Sequence, residues 1–173
     1  MTIATTTNNQ AFFYVDGIPT KGLWVDLDEV DGWDTVAALL SEKYPNSDID
    51  EILCADIEGI GRHFYASNCD SFSMNEWLEF KESMASTHLD LEIVAAFLEC
   101  FGKYGDIDIS AIEDQYYGQY DSFDDFVYAF VDDTCALEGM PDHLHSYFDY
   151  AKYGNDLSYD FSISNDGHVF RSC

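Results

Sequence analysis

The sequence predicts an α+β fold arranged as three small consecutive lobes, and three observations lead there. Short apolar runs bounded by Gly, Pro and Asn turns occur near both ends of the chain, at 11–27 and 159–171, and read as strands. Between them, apolar residues recur at three- and four-residue intervals behind Ser-x-x-Glu and Ser-x-x-Asp signatures, the pattern of capped helices. The chain is 47% hydrophobic and 16% aromatic, which supports a packed core even at a formal charge of −27; disordered acidic chains lack such aromatic content. The expected lobes are an N-terminal α+β lobe at 1–61, a helical middle at 62–104 and a C-terminal α+β lobe at 105–173.

The N-terminal lobe reads strand, strand, helix, strand. Ala11–Val15 and Gly22–Leu27 are strands separated by the turn at Asp16–Thr20, which contains Gly17 and Pro19. Asp31 or Asp34 caps a helix carrying Val36, Leu39 and Leu40 that stops before Pro45. Glu51–Ile57 returns as a strand, and Gly59 and Gly61 mark its exit.

In the middle, a capping box from Ser73 to Glu76 opens a helix with Trp77, Phe80 and Met84 on one face. Thr87-x-x-Asp90 opens the next, where Leu91, Val94, Ala95 and Leu98 form a stripe ended by Gly102. Ser110-x-x-Glu113 caps a short third segment. The last third begins with the aromatic run Tyr116, Tyr117 and Tyr120. Ser122-x-x-Asp125 then caps a helix from about Phe123 to Leu137 that buries Phe126, Val127, Phe130 and Val131. Pro141 starts a further helix with Leu144, Tyr147, Phe148 and Ala151. Tyr159–Ser164 and His168–Arg171 form a closing hairpin across Asn165, Asp166 and Gly167.

Charge excludes several functions. The chain has 34 Asp and Glu against 7 Lys and Arg, spread along its whole length. Such a surface repels nucleic acid and membranes and attracts proteins built to hold nucleic acid. The five cysteines, Cys54, Cys69, Cys100, Cys135 and Cys173, include no C-x-x-C pair and fit reduced thiols in a cytoplasmic protein. The first ten residues carry neither the basic region nor the apolar core of a signal peptide, and no stretch approaches a membrane span.

Dense carboxylates invite a calcium reading, which the spacing does not support. Asp26 and Asp28 are followed by Val30 where an EF-hand needs its fifth-position acid, by Asp31 in the glycine slot and by Ala37 at position twelve. Asp106, Asp108 and Ser110 likewise lack the glycine, and Tyr117 ends that window. His143 and His145 stand two apart, which suits no H-E-x-x-H zinc helix. There is no G-x-S-x-G, P-loop or G-x-G-x-x-G, and Gly59 and Gly61 are only two glycines in a loop. Carboxylate pairs for acid–base chemistry are uninformative where nearly any pocket would contain some. No enzyme and no cofactor are expected.

An anionic array has a different use. Duplex DNA carries about one phosphate charge per 1.7 Å of axis, so a charge of −27 matches roughly 13 or 14 base pairs. Around the helix after Ser122, Asp121, Asp124, Asp125, Asp132 and Asp133, with Glu138 beyond, project away from the Phe126–Phe130 stripe. Glu113 and Asp114 precede them, and these eight acids are the candidate partner-binding residues. Ordinary solvated helices mix Glu with Lys because such pairs stabilise them, yet this chain has almost no Lys to pair.

Segments 117–126 (YGQYDSFDDF), 141–150 (PDHLHSYFDY) and 167–170 (GHVF) resemble the C-terminal half of ArdA antirestriction proteins. The early 22–27 (GLWVDL) and 57–59 (IEG) fit that family's N-terminal lobe. The resemblance implies an elongated, dimeric DNA mimic, carried by mobile elements, that occupies the DNA groove of type I restriction–modification enzymes. It places the antirestriction motif on or near Tyr120–Glu138 and the homodimer contact in the C-terminal lobe, where Tyr116, Tyr120, Phe123 and Tyr147 are the expected interface aromatics. Two other readings compete: a salt-adapted acidic protein of unrelated function, and an acidic chaperone of another DNA-binding protein.

Overall fold

Alternation along the first strand sets the architecture of the N-terminal part. Ala11, Phe13 and Val15 share one face and are fully buried, and pairing on both sides makes Gln10–Val15 (β1) the centre of a sheet. A computed structural model describes residues 9–66, 71–102 and 108–172. The first eight residues, Cys69, Asp106, Cys173 and the expected lobe boundary at 104–105 lie outside the described residues. Packing groups the chain into two units, Met1–Thr87 with Lys103–Asp106, and His88–Gly102 with Ile107–Cys173.

In the first unit, β1 pairs antiparallel with Gly22–Asp26 (β2) on one side and Ile52–Glu58 (β3) on the other, giving the order β2-β1-β3. A register shift between Phe12 and Phe13 breaks the β1–β3 ladder. Trp33–Lys43 (α1) follows β2 and buries Val36 and Leu40. Gly22 has no room for a side chain, because a Cβ there would lie 2.6 Å from the Phe12 ring. Its carbonyl accepts from both Tyr44 Oη at 2.9 Å and Lys43 Nζ at 3.1 Å.

A 3-10 turn at Gly59–Phe64 leads into a short pair, Tyr65–Ala66 (β4) and Ser71–Phe72 (β5). Met74–Ser86 (α2) then covers the core with Trp77 and Phe80. The Trp77 indole stacks edge-on to Phe64 at 5.4 Å and donates to the Leu27 carbonyl at 2.8 Å. Lys81 of the same helix donates to the carbonyls of Leu27, Asp28 and Val30.

The second unit holds Leu91–Phe101 (α3), Ile109–Gln115 (α4), Tyr116–Gln119 (β6), Phe123–Asp133 (α5), Asp142–His145 (α6), Tyr150–Leu157 (α7), Phe161–Ile163 (β7) and His168–Arg171 (β8). Its sheet runs β6-β8-β7, all antiparallel, so the final strand is central and its Val169 and Phe170 are fully buried. α3 packs on it through Phe97, edge-on to Phe170 at 5.2 Å. Phe126, Val127, Leu157, Phe161 and Val169 form the core beneath α5 and α7. Gly154 lets those helices approach: a Cβ there would stand 3.1 Å from Val127.

The α+β class holds, and the ends of several elements differ from expectation. Gly32 takes the N-cap of α1, and Asp31 instead accepts from the Thr35 hydroxyl; Leu39 is half-exposed. Ser73 caps α2 by position, without a side-chain hydrogen bond. Asp90, not Thr87, takes the N-cap of α3, and Asp108, not Ser110, caps α4 by accepting the Ser110 N–H at 2.9 Å. At α4 the Asp108 carboxylate takes a free N–H of the first turn, whereas Asp90 caps α3 by position, without a side-chain hydrogen bond. α5 stops at Asp133 because Cys135 turns into the left-handed region at φ 50°. The helix expected after Pro141 is broken into α6 and α7, since Asp149 restarts it by accepting the Lys152 N–H at 3.0 Å. Strand β6 is an addition to the expected elements, since the sequence presents its tyrosines only as an aromatic run.

Candidate partner-binding surface

The second unit concentrates the charge imbalance. It carries 17 Asp and Glu against Lys152 and Arg171 alone, a formal −15 of the chain's −27. Asp121, Asp124, Asp125, Asp132, Asp133, Glu138, Glu113 and Asp114 are all exposed. Asp124 and Asp132 lie eight residues apart on α5, about 12 Å along its axis.

Local chemistry places these acids in two classes. At the start of α5, Ser122 Oγ accepts the Asp125 N–H at 3.2 Å and donates to the Asp125 carboxylate at 2.5 Å. Asp124 and Asp125 therefore sit where the helix dipole favours negative charge. Asp132 and Asp133 occupy the last turn of the same helix, where it disfavours them, and no base accompanies them. α4 repeats the arrangement: Glu113 and Asp114 fall in its last turn, again without a base. Fold stability alone would not choose acids for these four positions.

The cations do little to balance them. Among the described residues the one Lys or Arg ion pair is Lys21–Asp16, at 2.6 Å in the first unit, where the Lys21 ammonium holds the Asp16 carboxyl below its usual range. Lys43 and Lys81 are occupied by backbone carbonyls of that unit. The Ser110 hydroxyl and N–H hold the Asp108 carboxyl below the ordinary range as well. Among the described residues no Lys or Arg pairs with an acid of the second unit.

No group of His, Cys, Asp and Glu among the described residues is placed to hold a metal ion. His145 instead lies with Nε2 3.0 Å from the Met140 carbonyl. No helix among the described residues is long and apolar enough to cross a membrane.

Compared with known protein families, residues 13–170 match the family described as Antirestriction protein (ArdA). The chain belongs to the ArdA antirestriction family. ArdA proteins are non-enzymatic inhibitors, known as DNA mimics that act on type I restriction enzymes. That membership sets aside the reading as a salt-adapted protein of unrelated function and the reading as a chaperone. A comparison with curated proteins returned no match.

Within this ArdA chain the expected interface aromatics divide. Tyr116 packs on Phe170 at 5.4 Å, and its hydroxyl lies 3.0 Å from His168 Nδ1. Burial pushes its phenol up, and the Glu92 carboxylate adds to that. Tyr120 and Phe123 both pack on Phe126, at 5.4 and 5.5 Å. All three belong in part to the core of their own unit, whereas Tyr147 is 81% exposed.

The sequence reading did not single out Tyr128. It is 54% exposed and stacks on Tyr150 of α7 with ring centroids 4.5 Å apart. The pair borders a groove of about 730 Å³ that also meets Asp132, Glu138, His145 and Cys135. The available signal was its spacing, since Tyr128 falls four residues after Asp124 and four before Asp132. An aromatic on an acidic stripe rather than on the apolar one is the anomaly that marks it.

Proposed function

We propose that the chain places the acids of α4 and α5, with Asp121 and Glu138, where a DNA target's phosphates lie in the methyltransferase core of a type I restriction–modification enzyme. It thereby denies DNA access to that groove. It works in the cytoplasm as a two-fold homodimer, with Tyr147 and the neighbouring C-terminal aromatics at the contact, and serves the mobile element that carries it. The observation that supports this most is the pair of acids at the end of both α4 and α5, unbalanced by any cation. Neutral replacements there suit the helix dipole better, so a function outside folding accounts for the negative charge.

The target's Lys and Arg gain from any anion array of suitable spacing, so affinity is spread over many contacts and is sensitive to salt. Competition against a DNA duplex for a purified type I methyltransferase tests the reading. The chain should displace DNA, and displacement should weaken as salt rises. Failure to compete at any salt concentration would remove the proposal.

A further inference from the structure

Two rings from different helices form a platform at the surface: Tyr128 is exposed, and Tyr150 is half-buried against the core of the unit. Val127 against Gly154 already seats α5 on α7, yet Tyr128 and Tyr150 stack beside that contact at 4.5 Å with an interplanar angle of 40°. On one side of the pair lies the groove with Asp132 and Glu138. On the other a small depression reaches Asp124. Asp124, Tyr128 and Asp132 succeed one another at four-residue intervals, so each stands about one helical turn, roughly 6 Å, from the next.

A tyrosine face bracketed by carboxylates has the chemistry to receive a planar cation. The ring attracts positive charge over its face, and the carboxylates accept the fork of N–H groups at its rim. Guanidinium fits better than ammonium, being flat, weakly hydrated and able to stack while it hydrogen-bonds. The chain's own cations do not fill the platform: among the described residues the cation–π contact is Lys43 over Tyr44, in the other unit. In a unit of formal charge −15, the occupant that the field selects is basic.

We propose that the Tyr128–Tyr150 platform receives an arginine side chain from the DNA-binding surface of the target protein, held between Asp124 and Asp132. This rests on the reading that the chain binds a basic groove. It adds to that reading one short-range, guanidinium-selective contact within a field that otherwise acts at long range.

The test uses the full chain as wild type, Tyr128→Leu and Tyr128→Phe, titrated with octa-arginine and octa-lysine peptides and with a type I methyltransferase. The wild type should prefer the arginine peptide by about two- to fivefold, the range of an exposed cation–π contact. Tyr128→Phe should keep that preference. Tyr128→Leu should lose it while retaining the salt slope, because no charge has been removed. A preference retained in Tyr128→Leu, or absent from the wild type, overturns the proposal. So does a shift of Tyr128→Leu to monomer in sedimentation, which would mean that a second copy covers this face. An arginine preference that depends on Tyr128, without methyltransferase binding, supports the platform and rejects the target. Methyltransferase binding with no arginine preference does the reverse.

Discussion

The Tyr120 amide donates to the Gly167 carbonyl at 2.9 Å, and a Cβ on Gly167 would stand only 2.1 Å from the Tyr120 carbonyl oxygen. This close backbone crossing ties the turn before β8 to the segment that leads into α5. Gly167 also lies at φ +86°, a conformation that a side chain disfavours. It therefore fixes where the acids after Tyr120 begin.

Replacing Gly167 by Ala should destabilise the fold by about 2–4 kcal/mol, combining backbone strain with a clash against backbone that cannot swing away. Gly17, also left-handed at φ +64° but with open space around it, should lose only about 1 kcal/mol on the same change. Urea unfolding of the two variants checks the contrast. Equal losses would show that the crossing at Tyr120 is slack.

The two ends of α5 should respond oppositely to substitution. Asp132→Asn with Asp133→Asn should raise the thermal midpoint, because the last turn loses charge that the dipole disfavours. Ser122→Ala should lower stability by about 1 kcal/mol, since the Asp125 N–H loses its acceptor. The stabilised double variant should inhibit its target less well. A variant that gained stability and lost no inhibition would assign these two acids to solubility alone.

Salt should stabilise the protein. Screening shortens charge repulsion to about 8 Å at physiological ionic strength, and a formal charge of −27 with few ion pairs leaves much repulsion to screen. Differential scanning calorimetry should show the midpoint climbing from low to moderate salt. A flat or falling midpoint would mean that the exposed acids barely sense one another.

Much of the fold was legible because it follows from short-range rules. The Ser122 capping box, the Gly102 stop and the Gly167 turn were each readable from two or three adjacent residues, and each formed. Misplaced helix ends, at Thr87, Ser110 and Leu137, came from choosing between neighbouring cap candidates, a competition settled by tertiary packing and turn geometry. Strand β6 was illegible because it pairs with β8, about fifty residues away. The acids of the surface could be named because exposure follows from charge. Tyr128 could not, since its partner Tyr150 reaches it only once α5 and α7 pack together.

Assembly gives a separate expectation. Tyr147 is 81% exposed on the loop between α6 and α7, and a two-fold contact there would cover it. Sedimentation at micromolar concentration should report a homodimer, and Tyr147→Asp should shift it towards monomer. A wild-type monomer would remove the dimer.

The most direct test of phosphate replacement is affinity for a type I methyltransferase across a salt series. The wild type, the single variants Asp124→Asn and Asp133→Asn, and a block variant with Asp121, Asp124, Asp125, Asp132 and Asp133 all changed to Asn should be compared. Exposed charges typically contribute under about 1 kcal/mol each, so each single change should weaken binding by no more than about fivefold. The block should weaken it far more and flatten the dependence of log affinity on log salt. A block variant that bound with undiminished affinity and slope, or a single acid whose loss abolished binding in a folded dimer, would contradict distributed mimicry.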